Sequence, residues 1–258
     1  MFHFYTGIIL AIKSYSNAFS IIRKLKIGWV FIIPILILLL NIVLGGNTAS
    51  YLTGVITEWV REQLPFSLGD SWFAEFIRML GAFFIWLAIF FMLIYIGGFI
   101  LLIFLSPVLI YVSDKVDAHL SGETPPFVLG RFLKDIFRGV AIALRNLTIE
   151  VVNSLVSIFI GFLPLVGFVV PAYLFVLASY FYGFSFMDYT LERRAYNVKQ
   201  SIYTVRRNKG TAIGLGVIYM LFTTVPYIGF AFAGFISILS TVAATIATNE
   251  IIQKEKQQ

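Results

Sequence analysis

Residues Gly210 to Asn249 read GTAIGLGVIYMLFTTVPYIGFAFAGFISILSTVAATIATN, 40 residues without one Asp, Glu, Lys or Arg. Roughly 18 consecutive apolar residues already suggest a membrane segment. At its middle stands Pro226-Tyr227-Ile228-Gly229-Phe230. Proline withdraws a backbone donor and glycine admits positive φ, so Pro226 and Gly229 together suit a chain reversal between two helices. The run therefore reads as a helical hairpin over 211–249.

The same turn occurs 62 residues earlier as Pro164-Leu165-Val166-Gly167-Phe168, inside a second charge-free run, 151–187. A second hairpin, 148–187, is expected there, with Pro164 and Gly167 at its tip. Its first arm holds only 13 uncharged residues, 151–163, about 20 Å of helix against a hydrocarbon core of roughly 30 Å. The hairpin is either re-entrant, or it spans with Arg145 and Glu150 in the membrane or at its edge. Both tips are expected to pack near each other inside the protein, because freed backbone groups at membrane depth need protein or water around them.

Two further charge-free runs, 27–57 and 79–113, come first in the chain. They predict spanning helices over about 28–45 and 80–112. With 59% apolar and 12% charged residues and a mean hydropathy of +0.91, the chain departs far from soluble usage. The expected fold is thus all-α: an integral membrane protein, 1–258 forming one membrane domain, with two long spanning helices, two Pro/Gly-tipped hairpins and amphipathic interfacial helices. Phe4, Ile8, Ile12, Tyr15, Phe19 and Ile22 recur every three or four residues, which predicts an interfacial helix over 1–26. No basic residue precedes that stretch and no small-residue cleavage pattern follows it, so a cleaved signal is not expected.

The 19 basic residues set an orientation. Only Arg61 and Arg78 lie between the first and second runs; the other 17 fall in segments that can share one side. Positive residues favour the cytoplasm, so both ends, 114–147 and 188–209 are expected there. From Phe127 onward, Arg131, Lys134, Arg138 and Arg145 share one helical face. They serve either as snorkelling anchors at the headgroups or as an electropositive entrance for anions. Tyr189, Tyr196 and Tyr203, spaced by seven, form a stripe in a basic segment, as in an interfacial aromatic belt or a ligand platform.

Catalytic signatures are absent. The chain has no cysteine and two histidines, His3 and His119, neither at metal-binding spacing from another ligand. There is no Walker-type loop and no Gly-x-Ser-x-Gly; Gly214-Leu215-Gly216 lacks the rest of a dinucleotide fingerprint. No enzyme, cofactor or metal is expected, and the basic balance of a membrane chain gives no reason to invoke nucleic acid. An anion pathway and a non-transporting membrane scaffold or membrane-shaping protein both fit these residues.

The stretch from Pro107 through Asp114, Asp117, His119 and Leu120 to Ser121-Gly122-Glu123-Thr124-Pro125-Pro126 resembles the CysZ-type sulfate permeases and their etoposide-induced relatives. Asp188-Tyr189, Arg206-Arg207-Asn208-Lys209 and the Pro226 turn extend the likeness in order along nearly the whole chain. The resemblance implies a homo-oligomeric protein of the bacterial inner membrane that admits sulfate to the cytoplasm. In that family a Gly-Leu-Arg-Arg stretch ahead of the first spanning helix holds the anion. Here Gly28 and Trp29 stand where its arginines would be, and Arg23, Lys24 and Lys26 lie just upstream. The expected anion site is therefore Arg23, Lys24, Lys26 and Gly28, aided by the unpaired amides that open a helix, with Arg131, Lys134 and Arg138 at a pathway entrance. Sulfate itself is a family expectation; another small oxyanion meets the same chemistry.

Overall fold

A computed structural model of the chain describes residues 2–37, 39, 51–52, 54–55, 58, 72, 76, 79, 104–122, 129–161, 169–225 and 228–257. All regular structure among these residues is helical. Three helices are long and apolar enough to cross a membrane, through Phe137–Ser157, Val170–Arg193 and Phe232–Glu255. The protein is an all-α membrane protein.

The chain forms two compact units, Ile32–Leu102 and the combination of Met1–Phe31 with Ile103–Gln258. In the first, the described residues are helical. Of the expected span 28–45, residues 28–37 and 39 are described, as a 3-10 turn followed by helix, and the rest lies outside the described residues, as does 80–103 of the expected span 80–112.

The second unit contains seven α-helices among the described residues: α1 (Phe2–Lys24), α2 (104–121), α3 (Leu129–Gly161), α4 (Val170–Arg193), α5 (Val198–Arg207), α6 (Lys209–Thr223) and α7 (Ile228–Lys256), with a 3-10 turn at Gly28–Phe31. Helix α2 stops at Gly122, whose φ of 74° suits a residue without a side chain. Its amide donates to the Ala118 carbonyl at 3.0 Å, closing the last turn.

Helices α1 and α4 end in a tighter form of the same device. Lys26 at φ 53° and Ala195 at φ 61° occupy the left-handed position. Lys26 N–H donates to Arg23 O and Ile27 N–H to Ile22 O; Ala195 N–H donates to Glu192 O and Tyr196 N–H to Leu191 O. These are paired Schellman bonds. Ile22 and Ile27 are both buried beside the first, and Leu191 is buried beside the second.

After Ala195 the chain restarts at Asn197, whose side chain accepts from Gln200 N–H at 2.9 Å while Gln200 Oε1 accepts from Asn197 N–H at 2.8 Å. This capping box separates α4 from α5. Tyr189, Tyr196 and Tyr203 accordingly do not form one helical stripe; they stand on α4, in the connection and on α5. Tyr196 and Tyr203 instead line a cavity of ≈ 590 Å³ with Lys199, Arg207 and Glu255, and burial together with the Glu255 carboxylate raises the Tyr196 phenol above its ordinary pKa.

Of the two alternatives for the arm before Pro164, α3 has the length for the spanning one: it is a single helix of 33 residues that carries Arg145 and Glu150 within it. Arginine and glutamate are good helix formers, and nothing between Arg131 and Gly161 breaks the pattern, so the amphipathic segment and the arm are continuous. The 21 residues of Phe137–Ser157 give about 30 Å, enough to cross. Leu133, Phe137, Leu144, Val152 and Leu155 are exposed along it, as residues facing lipid are. The other run consists of α6 and α7, which pack on each other.

Packing is governed by small residues. Helix α6 makes its largest contact with α4 and its next with α1. A Cβ at Gly183 would lie 1.8 Å from the Ala212 carbonyl oxygen, and one at Gly216 only 1.7 Å from that of Ser179. On another face, Gly210 and Gly214 meet Phe4, Ile8 and Ala11, and Gly7 meets Thr211. Without a hydrophobic force between helices in lipid, close backbone approach of this kind drives association. The interior side of α1 is therefore Gly7, Ala11, Ser14, Tyr15, Ala18 and Ile22, while Tyr5, Ile9, Ile12 and Phe19 are exposed. The apolar period predicted an interfacial helix, and Ile12 and Phe19 of that period are exposed while Tyr15 and Ile22 are buried; the face toward α6 and α7 is made largely of small residues, which let the helices come close.

Candidate functional site: a buried ionic cluster and an exposed basic corner

Helices α2, α4 and α7 bring Ser113, Thr190 and Thr245 together, with hydroxyl oxygens 3.1 to 3.2 Å apart. All three residues are buried. Each hydroxyl offers a donor and an acceptor, so the trio satisfies itself where water does not reach.

One turn on, Asp117 projects from α2 with 3% of its side chain exposed. Its Oδ2 accepts from Arg193 Nε at 2.9 Å, and its Oδ1 accepts from Arg194 Nε at 3.2 Å and from Asn249 Nδ2 at 2.7 Å. Arg194 Nη2 also lies 3.0 Å from Oδ1 and donates to Asn249 Oδ1 at 2.8 Å. Arg193 reaches Asp114 as well. Asn249 is held in turn by its own helix, donating to Thr245 O at 3.0 Å. A carboxylate at this depth is stable only with such a set of charge-assisted donors.

Arg138 forms the second half of the cluster. Its Nη2 donates to Asp188 Oδ1 at 3.2 Å and to Ser201 Oγ at 2.9 Å, and its Nη1 lies 3.2 Å from Glu192 Oε1. Only 15% of its side chain is exposed. The expectation that Arg138 lies on an open electropositive entrance is thus corrected: it turns inward because Asp188 and Glu192, one helical turn apart on α4, face it. Arg131 and Lys134 lie on α3, but their side chains fall outside the described residues.

Four acids, Asp114, Asp117, Asp188 and Glu192, thus meet three arginines, Arg138, Arg193 and Arg194. The cluster has no surplus positive charge to offer a dianion. What it can do is clamp α2, α3, α4, α5 and α7 together at their basic ends.

The expected anion site has the opposite character. Arg23 and Lys24 close α1, Lys26 holds the left-handed position after it and Gly28 opens the 3-10 turn, and all four are exposed. Not all the amides expected to be unpaired are: Ile27 N–H is bonded to Ile22 O at 3.3 Å and Val30 N–H to Ile27 O at 3.2 Å. The Schellman motif consumes the first and the 3-10 turn the second, so among the described residues the amides of Gly28 and Trp29 are the two that remain at the start of that turn. A Cβ at Gly28 would have nothing within 4 Å, so the corner is open.

Of the expected hairpin turns, Pro164, Gly167 and Pro226 lie outside the described residues. Gly229 is in the first turn of α7, where its amide donates to Val225 O at 2.7 Å and a Cβ would lie 2.1 Å from Thr223 O. The glycine is required by the end of α6 crossing so near.

Residues 14–233 match the sequence model of the Sulfate transporter CysZ/Etoposide-induced protein 2.4 family. The chain belongs to this family. The match takes in the Arg23 corner, the whole of α2 to α6 and every member of the ionic cluster except Asn249. At the level of the family, the CysZ/etoposide-induced proteins are transport proteins embedded in membranes, which agrees with the three helices long and apolar enough to cross one. No curated protein matches the chain.

Proposed function

We propose that the protein is a passive pathway for sulfate, or a similar small oxyanion, into the cytoplasm across a bacterial inner membrane. The observation that carries this reading is the family match over residues 14–233. It works as a homo-oligomer, with 17 of its 19 basic residues on cytoplasmic segments. Arg23, Lys24 and Lys26 gather the anion with the Gly28 and Trp29 amides. Two features support the assignment: all three cations are exposed, and the inward-facing arginines are already neutralised by carboxylates. Several weak, flexible contacts suit conduction, since the ion must leave as readily as it enters.

The test is uptake of radiolabelled sulfate into proteoliposomes holding the full chain, compared with a variant carrying Arg23→Gln, Lys24→Gln and Lys26→Gln. Wild-type uptake is expected to exceed that of empty vesicles, and the correctly inserted triple variant to lose it. Uptake no greater than in empty vesicles sinks the transport reading, whereas unchanged uptake in the variant moves the site elsewhere.

A further inference from the structure

A groove of ≈ 550 Å³ lies against α4 and α6, lined by Tyr173, Val176, Leu177, Tyr180 and Ile213, with Arg206 and Lys209 completing its wall. Val170–Arg193 is apolar enough to cross the membrane, so Tyr173, Val176 and Leu177 on it stand at hydrocarbon depth. Tyr173 and Val176 are nearly half exposed. Helix α6 runs antiparallel to α4, as the crossings of Gly183 with Ala212 and Ser179 with Gly216 require. Lys209, at the start of α6, therefore sits toward the basic end of α4, and Tyr173 near the opposite end. One side of the groove is charged and the rest of its length is apolar.

The cations there have no acidic counterpart among the described residues. Among the described residues neither Arg206 nor Lys209 forms an ion pair, in contrast to Arg138, Arg193 and Arg194. Arg206 and, from α3, Arg145 both bring positive charge into range of the Tyr180 phenol. Such a site favours an anion, but apart from the Tyr173 and Tyr180 hydroxyls the rest of the groove is aliphatic and aromatic, which would leave most oxygens of a free anion without a donor. A ligand with an anionic head and hydrocarbon tails fits both ends.

We propose that this groove binds an anionic phospholipid of the basic-side leaflet, its phosphate between Arg206 and Lys209 and an acyl chain along Ile213, Leu177, Val176 and Tyr173. Lysine and arginine at headgroup level each strengthen anionic lipid binding roughly fivefold, so the pair contributes about 30-fold. This inference uses the membrane placement alone and stands apart from the sulfate reading.

Native mass spectrometry of the full chain in detergent, titrated separately with phosphatidylglycerol and phosphatidylcholine, tests it. Wild-type protein is expected to retain phosphatidylglycerol at least tenfold more tightly, and the preference to vanish in the double variant Arg206→Gln, Lys209→Gln. Val176→Trp fills the apolar arm and keeps both charges; it should weaken phosphatidylglycerol as well. If the double variant does not fold, Arg206→Gln alone should reduce the preference about fivefold. Equal retention of the two lipids, or an undiminished preference in the charge variants, overturns the proposal. So does displacement of phosphatidylglycerol by millimolar sulfate or inorganic phosphate, which would assign the two cations to a small oxyanion. Sulfate uptake by the same variants reads the transport question independently.

Discussion

Replacing Asp117 by alanine removes the acceptor that three side chains share. In the native protein, Arg193 Nε, Arg194 Nε and Asn249 Nδ2 donate to it at 2.9, 3.2 and 2.7 Å. Removing one partner of a buried ion pair costs about 3–5 kcal/mol. The two guanidinium groups keep 12% and 17% exposure and retain Asp114 and Asn249, so the expected loss is near the lower bound, about 3 kcal/mol. Asp117→Asn preserves shape and one acceptor while removing the charge, and should cost about 1–2 kcal/mol. In a domain of this size 1 kcal/mol corresponds to about 2–4 °C in melting temperature. Thermal unfolding in detergent should therefore show a drop of about 6–12 °C for alanine and about one third to two thirds of that for asparagine. An alanine variant melting within about 2 °C of the wild type would refute the reasoning. It would mean that the carboxylate costs as much to bury as its donors return.

Gly216→Ala would set a methyl 1.7 Å from the Ser179 oxygen, where ordinary contact begins at 3.4 Å. The α4–α6 pair must then open by more than 1 Å, and a loss of about 1–3 kcal/mol is expected in the same melting experiment. Gly130→Ala on α3, with nothing within 4 Å, should instead stabilise by about 0.5–1 kcal/mol; equal effects of the two would show that helix approach is not what Gly216 secures. For orientation, cysteines are introduced singly into a chain that has none, at Ser67 and Lys199. An impermeant thiol reagent on intact cells should reach Ser67→Cys and not Lys199→Cys, and labelling of both would indicate two orientations rather than one.

The fold class was legible because charge-free runs and Pro/Gly turns are local signals, readable within a few dozen residues. The ionic cluster was not, since its pairs are 50, 76, 77 and 132 residues apart and no periodicity records them. One clue was present: Asp188 and Glu192 stand one turn apart at the end of a helix with no charged residue before them, and acids in that setting call for buried partners. Arg138 was misplaced for the complementary reason. Its spacing from Arg131 and Lys134 describes a helix face, but a face says nothing about which neighbour packs on it. The Arg23 corner was legible as a cluster of cations, while the pairing of the Ile27 amide depended on the left-handed Lys26, which no residue type announced.

The Tyr15 hydroxyl donates to Leu215 O at 2.9 Å and sits 2.6 Å from Ser240 Oγ, bridging 200 and 225 residues of chain. Helix α1 is made well before the surfaces it fits on α6 and α7. At about 5–20 residues per second, synthesis of the intervening chain takes roughly 10–40 s. Throughout that interval Ser14, Tyr15 and the small-residue face of α1 wait without a partner. A strongly apolar α1 would commit to the bilayer at once; one carrying Lys13, Ser16, Asn17 and Ser20 can rest at the headgroups until α6 and α7 arrive. The amphipathic period in the first two dozen residues then describes where the helix waits during biogenesis, and its glycine and alanine face where it finally docks.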